Sequence, residues 1–375
     1  MRRILLALAI VAASLSGGAA TASEPTKGTL FLIGGALADD NNAIYGEFVR
    51  QAGGAQARIG VLSASSAQPH WSANDAMKQL KRHGAGDAVW IPVSLKKDGS
   101  GEDPANVALA AGATAFFFTG GDQFRYVQTM IRPDGTDGAV LSAIRQRFAA
   151  GAPIAGTSAG MQIFAGPDMI TGGLSYYGVR DGSQPGYFDT EEVLGYWPAG
   201  GFDFFAAGLV DTHFDARGRN GRSIRLAADT GHQRVFGVGE DTALVVNGPL
   251  MRVIGTNGVS ILDLRAAAVA GDWSISGVRW SYLVDGDTYN ADLWSIFKAD
   301  IPGVPDERAA KPPTQDIFGS YEMLDAALDL TAAGLSTGTT GTTAETDPQF
   351  TVTLTKGAGF APYARSFTDL SVAIG

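Results

Sequence analysis

Gly156-Thr157-Ser158-Ala159-Gly160 sets a serine among small residues at the G-x-S-x-G spacing of a nucleophile elbow. The pattern recurs at Gly334-Leu335-Ser336-Thr337-Gly338, so spacing alone selects nothing in a chain with 50 glycines. Context separates the two. Ser158 follows the apolar run 152–155 and opens the helix-like run 161–164. That order lifts a hydroxyl out of the backbone and leaves the Ala159 N–H at a helix start, where it can meet an oxyanion. Ser336 lies in a Thr/Gly tract with no strand before it.

A serine hydroxyl needs a base. The chain has four histidines: His70, His83, His213 and His232. His70 sits in a Gln-Pro-His-Trp loop, His83 after a basic helix end, and His232 in a polar turn. Only His213 comes directly off an apolar strand-like run, at 208–210. Active groups of open α/β sheets gather at the carboxyl ends of strands, so His213 is the candidate base. A carboxylate should orient its ring. Glu240 and Asp241 follow the strand-like run 235–238, and spacing does not choose between them or exclude an ordinary turn.

Three further features stand near this set. Phe118-Thr119-Gly120-Gly121-Asp122-Gln123 ends a strand-like run on two glycines. Either one of its glycine N–H groups is a second oxyanion donor or it is a tight turn capped by Asp122. Arg217, Arg219 and Arg222 follow His213 closely, as carboxylate binders or as solvated charge. Gly34-Gly35 ends the first strand-like run, without the G-x-G-x-x-G of a dinucleotide site.

Elements that could position these residues alternate along the chain. Strand-like runs at 29–33, 58–62, 88–93, 114–118 and 153–155 are separated by helical spacing at 42–51, 71–82, 123–131 and 140–148. This alternation predicts an α/β fold with a mostly parallel sheet flanked by helices. Residues 175–206, rich in Gly and aromatics, read as a loop packed over the core or as a substrate wall. A strand at 208–214, a helix at 220–228, a strand at 234–238 and a short meander up to 262 follow. A boundary is expected near 265, with residues 23–265 as the catalytic domain and 266–375 as a C-terminal extension with a small β-rich appendage. Within that extension 302–314 reads as a Pro-rich linker and 335–346 as a flexible Thr/Gly tract.

Composition narrows the function. The formal net charge of −10 disfavours nucleic acid and suits cationic substrates. The absence of cysteine excludes disulfides, thiolate metal sites and a Cys nucleophile. Four histidines leave little for a multi-His metal site, and no metal or other cofactor is expected. Arg2 and Arg3, the apolar run 4–15 and Ala20-Thr21-Ala22 have the form of a cleaved signal peptide over 1–22. The apolar run is too short to span a bilayer, so a secreted or periplasmic protein with no membrane contact after cleavage is expected.

Taken together and in this order, Gly34-Gly35, the Phe-Thr-Gly-Gly-Asp-Gln turn, Gly-Thr-Ser-Ala-Gly-Met at 156–161, Asp-Thr-His-Phe with the Arg-Gly-Arg-x-x-Arg run at 211–222, and Gly-Glu-Asp-Thr-Ala at 239–243 resemble the serine-peptidase family of cyanophycinase and peptidase E. The match covers roughly residues 28–265. The resemblance implies a flavodoxin-like sheet related to class I glutamine amidotransferases. It implies Ser158 as nucleophile, His213 as base, Glu240 as orienting acid, and Gly121 and Ala159 as oxyanion donors. Gln123, Asp211, Arg217, Arg219 and Arg222 would surround the substrate. That substrate would be cyanophycin, a polyaspartate bearing arginine on each side chain, cut exolytically into β-Asp-Arg dipeptides. An aspartyl or isoaspartyl dipeptidase of the same family, or a silent exported binding protein, are the alternatives. Family relatives point to a homodimer. Two departures stand out: Thr212 replaces the usual Gln of the base motif, and Asp168 occupies the slot of the peptidase E triad acid.

Overall fold

The computed structural model describes residues 28–271, 273–303, 312–334 and 336–375. The expected signal segment and most of the Pro-rich linker lie outside the described residues. Strands β1 (Leu30–Ile33), β2 (Arg58–Leu62), β3 (Asp87–Trp90), β4 (Ala115–Phe118) and β5 (Ile154–Thr157) pair in parallel in the order β1-β5-β4-β2-β3. Leu-Phe-Leu-Ile in β1 and Ala-Phe-Phe-Phe in β4 are buried throughout, because both faces of the sheet are covered. Alternate residues divide between the faces. Leu30, Leu32, Phe116 and Phe118 join one core, and Phe31, Ile33, Ala115 and Phe117 the other.

The second of these cores is closed by helices Asn42–Ala52 and Pro69–Arg82, through Phe48 and Leu80. The first is closed over the parallel strands by helix Ala139–Ala149, which inserts Ile144 and Phe148. Each such buried phenylalanine contributes roughly 2–3 kcal/mol of transfer free energy. Beyond β1 the sheet continues antiparallel through Thr242–Asn247, Leu250–Gly255, Thr288–Asn290 and Ser295–Phe297.

A second sheet covers that antiparallel half, with Val210, Phe236 and Ile261 packed in one core with Leu244 and Val253. It begins with the parallel pair Leu209–Asp211 and Arg234–Val238. It continues antiparallel through Gly258–Asp263, Ser274–Val284, Phe367–Ile374, Thr351–Pro362 and Gly338–Thr342. Helices Asn220–Thr230 and Glu322–Ala332 close its outer face around buried Trp280.

The expected boundary at 265 therefore coincides with no break in either sheet. Residues 288–297 finish the first sheet, and most of the second is built from chain beyond 265. The Thr/Gly tract is ordered in part: Gly338–Thr342 is a strand on Thr351–Pro362, since the partner supplies the hydrogen bonds that its own composition does not. Helix Pro104–Ala111 was not expected, because its alanines leave no apolar stripe. Residues 175–206 hold helix Ser175–Asp181, the strands Ser183–Pro185 and Leu194–Trp197, and the buried rings of Phe202 and Phe204.

Candidate active site

Ser158 leaves β5 with φ 55° and ψ −121°, a strained conformation for a residue with a side chain. The surroundings hold it there. Its N–H donates to the Ile33 carbonyl at 3.0 Å, and its own carbonyl accepts from the Met161 and Gln162 N–H groups at 2.9 Å. The flanking glycines permit the turn. A Cβ on Gly156 would stand 2.0 Å from the Gly160 carbonyl oxygen, and one on Gly160 would stand 2.2 Å from that of Phe118. The G-x-S-x-G pattern thus reflects close backbone approach on both sides of the serine.

His213 follows strand Leu209–Asp211, and its N–H donates to the Gly34 carbonyl at 2.7 Å. Its φ of 46° turns the ring back across the strand ends. His213 Nε2 lies 2.8 Å from Ser158 Oγ, and His213 Nδ1 lies 2.6 Å from Glu240 Oε1. The ring rests on Gly35, where a Cβ would stand 2.2 Å from Cε1. Burial pushes the His213 imidazole below its usual value. The bond to Glu240 opposes that shift, and the charges of Arg217 and Arg219 add to it. The ring is therefore neutral near pH 7 and able to accept a proton.

The three candidate acids lie in different places. Glu240 reaches the imidazole, and its carbonyl accepts from Asn257 Nδ2 at 2.8 Å and Thr242 Oγ1 at 3.0 Å. Asp241 turns away and braces the loop after β1, accepting from the Ala38 N–H at 2.9 Å and Asn41 Nδ2 at 2.8 Å. Asp168 pairs with His232 at 2.9 Å and does not reach His213.

The remaining expected residues fall into two groups. Gly121, Gln123, Ala159, Arg217, Arg219 and Arg222 line one cavity of about 230 Å³ with Ser158 and His213. Gln123 is anchored there, its Nε2 donating to the Ile170 carbonyl at 2.8 Å. Asp211 is placed differently. It is fully buried and faces the arginines rather than the cavity. Arg222 Nε and Nη2 donate to its two oxygens at 2.7 and 2.6 Å, and Ser223 Oγ adds a bond at 2.9 Å. Burial opposes its charge, but the two guanidiniums outweigh it and hold the carboxyl below its ordinary value. Arg222 is correspondingly buried, while Arg219 reaches Asp211 and the Thr212 carbonyl. Arg217 is exposed; its backbone N–H donates to the His213 carbonyl at 3.0 Å, and its guanidinium makes no hydrogen bond among the described residues.

Other contributors stand outside the expected site residues. Ser65 Oγ donates to the Thr119 and Gly120 carbonyls at 2.9 and 2.8 Å and so fixes the turn before Gly121. Asn257 holds Glu240 from the bend where the chain passes from Leu250–Gly255 of the first sheet to Gly258–Asp263 of the second. Tyr187, from the aromatic segment, lines the cavity and donates to Asp122 Oδ2 at 3.0 Å. Among the described residues no group of three His, Asp or Glu could hold a metal ion.

The chain is 31% identical over 284 residues to the cyanophycinase of Synechococcus elongatus, covering 70% of this chain and 79% of that one. The chain belongs to the cyanophycinase/peptidase E-like family. It is 27% identical over 279 residues to the cyanophycinase of Geminocystis herdmanii, covering 70% of this chain and 94% of that relative. No family model matches the chain. A peptidase from an acI-B1 actinobacterium shares the fold, with a TM-score of 0.50 and 18% identity over 71% of this chain and 97% of that one. As a member of the cyanophycinase/peptidase E-like family the protein is a peptidase hydrolase.

Proposed function

We propose that the protein is an exported serine exopeptidase that releases β-aspartyl-arginine units from cyanophycin or a similar polymer. The observation that carries this reading is the unbroken chain Ser158 Oγ, His213 and Glu240, with contacts of 2.8 and 2.6 Å. Ser158 Oγ attacks the scissile carbonyl as His213 Nε2 takes its proton. Nδ1–H stays donated to Glu240, which fixes the tautomer and stabilises the imidazolium. The tetrahedral oxyanion is met by the N–H groups of Ala159 and Gly121, each worth about 3 kcal/mol in comparable sites. His213 then hands the proton to the leaving amine, and water repeats the sequence on the acyl-enzyme. Arg217 and Arg219, on the cavity wall, take substrate carboxylates. Asp211 and Arg222 act one step back by holding Arg219 in place.

Several observations support the finer parts of the reading. Counted from β2, the strand order 2-1-3-4, with β1 closing the parallel part of the sheet, fits a flavodoxin-like sheet. The charged start, apolar run and A-x-A site at 1–22 support export to the periplasm or beyond. Incubation with cyanophycin, read by product mass, tests the whole. The β-Asp-Arg dipeptide is expected from the wild type and is expected to be absent with S158A, whose fold and thermal midpoint should be unchanged. Turnover retained by S158A would refute the nucleophile. Cleavage of short aspartyl peptides without release from the polymer would assign a dipeptidase instead.

A further inference from the structure

The carboxyl edge of the parallel sheet carries a second concavity that the chemistry above does not use. It is a groove of about 490 Å³ beyond β2 and β3, walled by His70, Trp71, Trp90 and Lys96. Its aromatic wall is built rather than incidental. Trp90 Nε1 donates to Ser63 Oγ at 3.0 Å, and the His70 ring meets the Trp90 ring edge-on at 5.2 Å and 74°. Trp71 is 67% exposed, so its indole face is open to a ligand. Lys97 is held by Asp103 at 2.5 Å, whereas Lys96 is exposed and makes no ion pair among the described residues.

The groove and the candidate active site lie on the same sheet edge and are joined by one loop. The segment that carries Ser63 also carries Ser65, which bonds the Gly120 carbonyl at 2.8 Å, and Gly120 packs against Ser158. Three strand spacings separate β5 from β3, so the groove lies ~14 Å from the nucleophile along the same edge. An extended chain covers that distance in about four residues.

We propose that this groove is a distal subsite for the polymer, holding one arginyl side chain a few residues away from the scissile bond. The inference rests on the cyanophycin reading above. An arginyl unit of that polymer carries a guanidinium and a carboxylate. The planar guanidinium stacks on the Trp71 or Trp90 face, and the carboxylate meets the Lys96 ammonium. A subsite at this distance keeps the chain end in register between successive cleavages.

The test uses the full chain with S158A as the background, so that binding is read without turnover. Retention on insoluble cyanophycin should weaken about two- to fivefold with W71A and be restored with W71F, which keeps an aromatic face. Trp71 is exposed, so an unchanged thermal midpoint should accompany both variants. Unchanged retention with W71A, equal loss in both variants, or no retention of S158A itself would overturn the proposal. So would a change in oligomeric state with W71A, which would give the groove to a second copy of the chain. If S158A binds the polymer through Trp71 but the wild type releases no dipeptide, the proposed reaction fails and the subsite stands.

Discussion

Asp215 lies two residues after His213 and is 2% exposed. Its carbonyl accepts from the Tyr321 N–H at 2.7 Å and the Gly218 N–H at 3.2 Å, so its backbone ties the base loop to the C-terminal chain. Neither carboxyl oxygen has a hydrogen-bond partner. Burial pushes the carboxyl up to about 7, and the dipoles of its own backbone and of Ser260, too far or too poorly aligned to bond, offset only part of this. The sign follows from linkage. An acid raised in the folded state keeps its proton there after the unfolded chain has released its own near pH 4. Its contribution to stability is therefore fully present below pH ~4 and is lost as pH rises through about 7. The slope is ~1.4 kcal/mol per pH unit, or ~4 kcal/mol across the window. Asp215→Asn removes the titration. Denaturant unfolding of both proteins at pH 5, 6, 7 and 8 should show the variant gaining on the wild type by ~2 kcal/mol between pH 5 and 7, with little further change at pH 8. A difference between the two proteins that does not move with pH would refute the uncharged, unpartnered state of Asp215.

Three other outcomes follow from the same geometry. Gly35→Ala would set a Cβ 2.2 Å from His213 Cε1 at a φ of 102°, so kcat should fall at least about tenfold, the equivalent of ~1.4 kcal/mol of barrier, with KM little changed. Asp211→Asn would leave Arg222 and Arg219 without their buried counter-charge, costing roughly 3–5 kcal/mol of stability, read as a lowered denaturant midpoint. Because burial depresses the His213 imidazole, kcat/KM should rise with pH through a midpoint below about 6.5. An acid limb centred above that value would contradict the buried neutral base.

The alternation of apolar and helical runs up to residue 238 was enough to read a mostly parallel sheet, because each buried strand and each amphipathic helix writes its own local pattern. Ser158 was legible for a similar reason: the two glycines that permit its strained turn are its immediate neighbours in the chain. His213 could be picked because one histidine of four came off an apolar strand. The acid could not be picked by spacing. Glu240 and Asp241 are adjacent, and only the antiparallel pairing of β1 with Thr242–Asn247 decides which carboxylate faces the ring and which braces the loop after β1. The arginine run was equally opaque, since a buried counter-charge for Arg222 and an exposed Arg217 look alike in sequence. The chain past 265 misled most. Its strands Ser274–Val284 and Phe367–Ile374 carry buried apolar residues of their own, but only their pairing with Gly258–Asp263 and with each other joins them to the sheet begun before 265. Local order thus came from neighbours in sequence, whereas charge pairing, sheet closure and the meeting of serine, imidazole and carboxylate came from contacts that span the chain.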